Sequence, residues 1–563
     1  MSKFARLLRF LEDDEPTDDE QVSANLYEQR INAFQNVPIF SSAVSDFFES
    51  ILPQKGPATN LTPQYGLMGV RQDASTKPPE DRLILANFNT PWSAFICGSQ
   101  GAGKSHTLSC LLEGALLRNN DAGELPNPLA GMVLHYDNYS NYTTTQLCET
   151  AYLCSSGIPV KVLVSPSNIW AMKRLYNNLP GLHPDSPRPK VLPLYFTEHQ
   201  LDISRILKLM AVDPVAKDVP LYMEVVMNII REMAMEGTGF TYAGFHKRIN
   251  EISWVRGQDM PLKMRMQLLD AFLAPSSLTK ITKPAFADQD IWDFEPGSLT
   301  IVDLSDPFVS SDDACSLFSI CISIFLEERS RCGRVLALDE AHKFLAQTGE
   351  ARLLTSDLTS IIRQQRHTGT RVLIATQEPT LSPELIDLAN ATFVHRFLSP
   401  AWYEILKKHL AGANKQDSGS KNTLFDTIVT LGTGEALLFC PTAQVDIETS
   451  REGTEQVESL GNGYIKLKVR KRLTADGGRS ILASDSSIHV TGPATADDVL
   501  MYIVPEKASG SGKSGAKNAA KTGLGPKAAK VPNINTTHGQ DHSNAKANTS
   551  ARYAKVKNKP CGS

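Results

Sequence analysis

The chain has 563 residues, of which 41% are apolar, 7% aromatic and 21% charged. That length is about three to four times one ordinary domain, and the balance excludes collagen-like, coiled-coil and wholly disordered chains. The net charge of -4 hides an asymmetry: residues 505–563 carry ten Lys and one Arg against Glu506 and Asp541, a net +9, which leaves -13 for the rest.

The chain starts MSKFARLLRFLEDDE, apolar and basic for eleven residues and then acidic, which fits a short surface or docking helix better than a secretory signal or an acid-poor transit peptide. Seven of the nine residues from Glu12 to Glu20 are acidic, a block expected to stay solvated. The nine cysteines include no C-x-x-C pair, so neither a zinc ribbon nor a redox motif is expected, and the thiols read as reduced, in a cytoplasmic or nuclear protein. The longest apolar stretch, Ala314 to Leu326, is thirteen residues and too short to cross a bilayer as a helix.

Short β-branched runs predict strands at Ser93–Cys97, Met132–His135, Lys161–Val164, Leu299–Leu304, Arg334–Leu338, Arg371–Ala375 and Thr392–Phe397. They alternate with amphipathic stretches, the pattern of an α/β fold with a mainly parallel sheet. Residues 200–290 carry helical spacing instead, as in Met223, Val226, Met227, Ile230 and Met233, then Leu262, Met266, Leu269 and Phe272. This predicts a helical insertion, and core packing is the plainer account of its methionine stripe.

Phe95-Ile96-Cys97 leads into Gly98-Ser99-Gln100-Gly101-Ala102-Gly103-Lys104-Ser105, with helical spacing after it through His106, Leu108, Leu111, Leu112 and Leu116. This is G-x-x-x-x-G-K-[ST] in a strand-loop-helix setting. Glycines let consecutive N–H groups turn toward a polyphosphate, and the helix N-terminus favours an anion. Gly98 through His106 form the candidate nucleotide-binding set, with Lys104 on the β and γ phosphates and Ser105 on magnesium.

Val335-Leu336-Ala337-Leu338 ends in Asp339-Glu340, a Walker B pattern at the carboxyl end of a buried strand. Asp339 is the candidate second magnesium residue and Glu340 the group that polarises the attacking water. Arg371-Val372-Leu373-Ile374-Ala375 ends in Thr376-Gln377, making Gln377 the sensor candidate. Arg366, and second to it Arg363, lie on the preceding helix and are candidates to stabilise phosphoryl charge in a neighbouring subunit; surface arginines are the competing account.

Two look-alikes fail on spacing. Asp339-Glu340-Ala341-His342 spells a helicase box, but Arg363 follows only twenty-four residues after Asp339, where a two-domain helicase needs its arginine motif far downstream. Asn414-Lys415-Gln416-Asp417 matches a guanine-reading motif, but it follows a helical stretch instead of a strand.

Together GSQGAGKS, LALDEAHKFL, IIRQQRHTGTRVLIATQEPTLSPEL and GEALLF resemble the HerA-FtsK group of P-loop ATPases over roughly residues 85–445. The resemblance implies a RecA-like P-loop NTPase core, ATP and Mg2+ as ligands, a homo-oligomer of hexameric type, and movement of DNA. By position it makes Lys104, Ser105, Asp339 and Glu340 the nucleotide and magnesium residues, Gln377 the sensor and Arg366 the intersubunit finger. A nucleotide-gated scaffold with little turnover is the alternative function.

The expected organisation is an N-terminal segment 1–84, core 85–199, helical insertion 200–290, core 291–445, a strand-containing extension 446–504 and a disordered basic tail 505–563. Two features depart from the family. Lys104 and Asp339 are 235 residues apart, and the segment before the loop reads as irregular, without the strands of a small barrel. In the extension, Tyr464–Arg470 alternates apolar and basic residues, which suits either an edge strand with protective lysines or a phosphate-contacting strand. The +9 tail suits non-specific DNA or a solubilising role, and no base-reading or membrane-inserting motif is present.

Overall fold

Two-sided burial builds the centre of the sheet. In β4 (Ser93–Cys97), Phe95 and Cys97 enter one apolar cluster while Ala94 and Ile96 enter another. The same split recurs in β10 (Arg334–Leu338), with Leu336 and Leu338 against Val335 and Ala337, and in β11 (Thr370–Thr376), with Val372 and Ile374 against Leu373 and Ala375. Each of the larger side chains, Val, Leu, Ile or Phe, contributes about 1.5–3 kcal/mol on burial, so a strand apolar on both faces is held only where both are covered.

The computed structural model describes residues 29–51, 61–74, 76–138, 145–209, 221–236, 240–254, 260–274, 290–327, 332–346, 349–379, 381–414, 423–449 and 455–475. The acidic block 12–20, the tail 505–563, residues 476–504 and the 415–417 part of the guanine-motif look-alike lie outside them. The other strands are β1 (Ile39–Ser41), β2 (Tyr65–Arg71), β3 (Leu83–Asn87), β5 (Gly123–Glu124), β6 (Ala130–His135), β7 (Val160–Val164), β8 (Lys190–Pro193), β9 (Leu299–Asp303), β12 (Ala391–His395), β13 (Glu435–Phe439), β14 (Gln444–Thr449), β15 (Glu455–Ser459) and β16 (Ile465–Val469). The helices are α1 (Ser42–Ile51), α2 (Lys104–Leu116), α3 (Ile169–Asn177), α4 (Ile203–Leu209), α5 (Leu221–Met235), α6 (Tyr242–Glu251), α7 (Met260–Ala271), α8 (Ser311–Glu327), α9 (Gly349–Arg363), α10 (Gln365–Thr368), α11 (Pro383–Asp387), α12 (Pro400–His409) and α13 (Leu424–Val429).

One sheet runs β15-β14-β1-β3-β2-β16-β13-β12-β4-β11-β10-β6-β9-β7-β8, with β5 beside β2. From β12 to β8 every neighbouring pair is parallel. The seven predicted strands are all in this parallel part, with ends that agree within two residues. The eighth, β8, is a four-residue edge strand ending in Pro193, a position where a missing N–H is tolerated.

α2 packs on one face of this region among Leu108, Leu111 and Leu112, and α8, α9 and the inserted helices cover the other. The apolar stretch from Ala314 to Leu326 is thus a buried core helix. Among the described residues of 200–274 the elements are helices α4 to α7, as predicted, and Met223, Val226, Ile230, Met233, Leu262, Met266, Leu269 and Phe272 are all buried core. The insertion closes on its own start: Phe196 N donates to Phe272 O at 2.8 Å and Ala274 N to Phe196 O at 2.9 Å.

Three expectations are corrected. The described residues of 39–87 are not irregular: they include β1, β2 and β3, which extend the sheet with β13, β14, β15 and β16. The boundaries drawn at 84 and 445 therefore cut through one sheet. β16 is no edge strand, because it lies between β13 and β2. Its cations are also engaged: Lys466 pairs with Glu435 at 3.1 Å, Lys468 Nζ donates to Thr433 O at 2.8 Å, and Arg470, just beyond it, is buried against Glu113. Among the described residues all eight cysteines are free, and no helix is long and apolar enough to cross a membrane.

Candidate functional site

The phosphate loop lies between β4 and α2, and its shape needs glycine. Gly98, Gly101 and Gly103 have φ of 152°, 72° and 114°. A Cβ on Gly98 would stand 2.6 Å from the His395 Cβ, and one on Gly103 3.1 Å from the Gly434 N. The loop is held from outside as well. Ser99 N and Oγ both donate to the Arg396 carbonyl, at 2.9 and 2.8 Å, and Gly434 N donates to Ala102 O at 3.1 Å.

His395 supports this arrangement and was not singled out from the sequence, where it lies inside the predicted strand Thr392–Phe397. Its Nδ1 lies 2.9 Å from the Glu435 carbonyl and its Nε2 2.9 Å from Thr107 Oγ1. A carbonyl only accepts, so Nδ1 carries the proton and Nε2 accepts from the threonine hydroxyl. Burial, with Lys104 and His106 nearby, pushes its pKa down to about 4 against the pull of the Glu435 carbonyl, so the ring is neutral at pH 7.

Lys104 opens α2 with its Nζ on Ser99 O at 3.1 Å and only 5% exposed. Burial lowers its pKa while Glu340 and Asp339 oppose that, which places the amine within electrostatic reach of both acids. Register explains the meeting. β11 is inserted between β4 and β10, with Thr376 opposite Cys97 and Ile374 opposite Leu338, so Gly98, Gln377 and Asp339 all leave the same sheet edge. Ser105 is partly exposed at the second residue of α2, and Gln100 and Gly101 are exposed at the loop tip.

Glu340 is 4% exposed and has left-handed backbone, φ 50° and ψ 44°. Gln377 Nε2 donates to its two carboxylate oxygens at 3.0 and 3.1 Å, and His342 Nδ1 lies 3.3 Å from Oε2. Burial lowers the His342 pKa. Asp339 is 2% exposed, with its N on Leu134 O at 3.0 Å. His135 Nδ1 lies 3.6 Å from its Oδ2, and Cys148 Sγ donates to the same oxygen at 3.7 Å. Burial opposes ionisation of Asp339, yet the contacts with His135 and Cys148 and the Lys104 charge hold its pKa below the usual value. Neither His135 nor Cys148 carried a sequence signal, because their pairing with Asp339 exists only across strands.

The remaining candidates stand apart. His106 directs Nε2 to the Arg470 carbonyl at 2.7 Å, toward the strand extension and not the loop. Arg363 and Arg366 are exposed, near the start of β11, about 20 Å along the strand from the loop edge, and neither has an ion-pair partner among the described residues. They do not belong to the same chain's cluster.

The strand order, with β11 between the loop strand and the acid strand, and the positions of Lys104, Asp339 and Glu340 define a P-loop NTPase core of RecA-like type. The sequence matches no protein-family model and no curated relative. Among solved structures it is similar to VirB4 of Thermoanaerobacter pseudethanolicus, with 14% identity over 72% of this chain and 96% of that one and a TM-score of 0.39. It is also similar to the genome packaging NTPase B204 of Sulfolobus turreted icosahedral virus 2, in complex with AMP at 16% identity and with ATP-gammaS at 14%, each over 29% of this chain and 67% of that one with a TM-score of 0.19. The assignment of the fold stands on strand order and site geometry, not on these likenesses.

Proposed function

We propose that this protein is a magnesium-dependent ATPase that works as a homo-oligomer, of hexameric type, and couples hydrolysis to movement of DNA, as the HerA-FtsK resemblance of its motifs implies. The observation that carries the hydrolytic part is the convergence of Lys104, Asp339, Glu340 and Gln377 on one sheet edge beside a glycine loop with its N–H groups at a helix start.

The residues present fit a magnesium-bound triphosphate. The loop leaves a backbone cradle that side chains at Gly98 and Gly103 would disturb, and among the described residues the buried amine of Lys104 has no carboxylate within ion-pairing distance. Ser105 and Asp339 would hold the metal, which when bound neutralises charge on the phosphate oxygens. Lys104 moves from Ser99 O to the β and γ phosphates. Glu340 accepts the hydrogen bond that orients the attacking water, once its carboxylate leaves Gln377. Gln377 is then free to donate to the γ-phosphate. Arg366, exposed and distant from its own chain's loop, suits a role in a neighbour's site, with Arg363 second.

Phosphate release by wild type, Lys104→Ala and Glu340→Gln is the test, with and without duplex DNA. Loss in both variants, and stimulation of wild type by DNA that falls steeply with salt, is the expected result. Equal rates in all three would remove the catalytic assignment. A nucleotide-gated scaffold is the second reading, favoured by the engagement of Glu340 with Gln377. It predicts nucleotide-dependent assembly indifferent to DNA and little turnover.

A further inference from the structure

Behind the acid strand, three side chains from three separate segments point at one another. His135 ends β6, Cys148 lies in the connection to β7, and Asp339 follows β10, and all three are buried. His135 Nδ1, Cys148 Sγ and an Asp339 carboxylate oxygen lie within 4.8 Å of one another, with His135 Nδ1 at 3.6 Å and Cys148 Sγ at 3.7 Å from Asp339 Oδ2. A tetrahedral ion with bonds of about 2.0–2.3 Å separates its ligand atoms by about 3.3–3.8 Å. The two measured separations fall in that range.

One ring nitrogen of the histidine is held and the other faces the cluster. Its Nε2 lies 3.0 Å from the Gln146 carbonyl, so Nε2 holds a proton, while the fully buried Nδ1 makes no hydrogen bond and faces Asp339 Oδ2 at 3.6 Å. Burial pulls the ring's pKa down, but Asp303 and Asp339 outweigh it and raise it to about 9, so an arriving cation has to displace the Nδ1 proton. A ring whose far N–H is fixed on a carbonyl and whose near nitrogen is unsatisfied is the usual arrangement around a metal-ligating histidine. Supports stand behind the other groups too. Thr150 Oγ1 is 3.0 Å from Cys148 Sγ, and Tyr176 bridges the Cys148 backbone N, at 3.3 Å, and Asp303 Oδ2, at 2.5 Å. One thiolate, one imidazole and one carboxylate suit zinc and disfavour magnesium or calcium, which take oxygen ligands.

We propose that His135, Cys148 and Asp339 form a zinc-class site directly behind the acid strand, and that its occupation withdraws Asp339 from the nucleotide site. On binding, the Cys148 thiol proton and any proton on His135 Nδ1 pass to solvent, and three protein ligands leave the fourth position to water. The binding claim stands alone; its inhibitory consequence rests on the ATPase reading above.

The experiment uses the full chain, stripped with a chelator and titrated with Zn2+ against a chromophoric competitor, then with Co2+ as an optical probe. Wild type is expected to bind one equivalent more than Cys148→Ser or His135→Asn, with a thiolate-to-cobalt absorption band lost in Cys148→Ser. X-ray absorption at the zinc edge of wild type alone is expected to show a shell with one sulfur, which keeps the test independent of how the variants fold. Equal stoichiometry in all three proteins, or a shell with no sulfur, would overturn the site. Zinc is further expected to inhibit wild-type phosphate release at a concentration at least about 10-fold below that needed for Cys148→Ser. If wild type shows no turnover, the ATPase reading fails while the stoichiometry and cobalt band still decide the metal site.

Discussion

Gln377 Nε2 donates to both oxygens of Glu340, at 3.0 and 3.1 Å, so the carboxylate that would orient water is occupied by the residue that would sense phosphate. The two can work on a nucleotide only after they separate. Gln377→Ala is therefore expected to lower kcat by about 10²-fold with nucleotide affinity nearly unchanged, because it removes a donor aimed at developing charge. Gln377→Glu sets two carboxylates against each other. Its melting temperature is expected to fall below wild type at pH 7 and to recover toward pH 4, as one of the pair takes up a proton. Thermal melts across pH, beside steady-state kinetics of the alanine variant, check both.

Glu340 also holds a backbone conformation that L side chains resist, at φ 50°. The left-handed region costs a non-glycine residue about 1–2 kcal/mol. Glu340→Gly and Glu340→Ala both lose the carboxylate, so both should lose hydrolysis. They should differ in stability by about 1 kcal/mol in favour of glycine, since only the alanine keeps the strained Cβ. Urea midpoints of the two variants measure the difference directly. Equal midpoints would mean that the turn after β10 relaxes without strain.

His395 gives the fold a dependence on acid. Its pKa falls from the usual 6.5 to about 4 in the folded protein, chiefly through burial, so the unfolded chain binds the proton more readily. Its contribution to stability is complete above pH 6.5 and is lost as pH falls toward 4, on the order of 3 kcal/mol in full. His395→Gln, which keeps one donor and one acceptor but cannot titrate, is expected to flatten that part of the stability curve. Chemical denaturation at half-unit steps between pH 4 and 7.5 is the measurement.

Much of the P-loop core was legible because its signals are local. The loop needs eight consecutive residues, Gly98 to Ser105, and each parallel strand announces itself by apolar residues on both faces. The antiparallel extension was legible only at Tyr464–Arg470, whose alternation became β16; its N-terminal strands were not. β1 has three residues, and β2 carries Gly66 and Gly69, which weaken a strand pattern. The second glycine is explained only by a partner 399 residues away: a Cβ on Gly69 would lie 2.0 Å from Lys468 O. The supports of the site failed for the same reason. His135, Cys148 and His395 meet the functional groups across strands, and no spacing in one sequence encodes that.

The last such long-range contact ties the nucleotide helix to the end of the described chain. Glu113, on α2 and fully buried, receives Arg470 Nη1 at 2.7 Å, Leu473 N at 3.1 Å, Thr474 N at 2.9 Å and Thr474 Oγ1 at 2.6 Å. Burial would raise its pKa, but Thr474 and Arg470 together hold it below the usual value. Arg470 also donates to Leu67 O at 2.6 Å and Cys110 O at 3.1 Å, so one ion pair joins α2, β2 and residues 470–474. Removing a single partner of a buried pair strands the other charge, at a cost of about 3–5 kcal/mol. Glu113→Ala is expected to destabilise by that amount, whereas the double change Glu113→Leu with Arg470→Met should recover much of it. Since the folded carboxyl has the lower pKa, the pair stabilises above about pH 4.5 and its contribution fades as pH falls through the folded value. The double variant should lack that acid loss. A midpoint of the double variant no higher than that of Glu113→Ala would show that the hydrogen bonds to Leu473 and Thr474, and not the charge pair, hold this segment on the nucleotide helix.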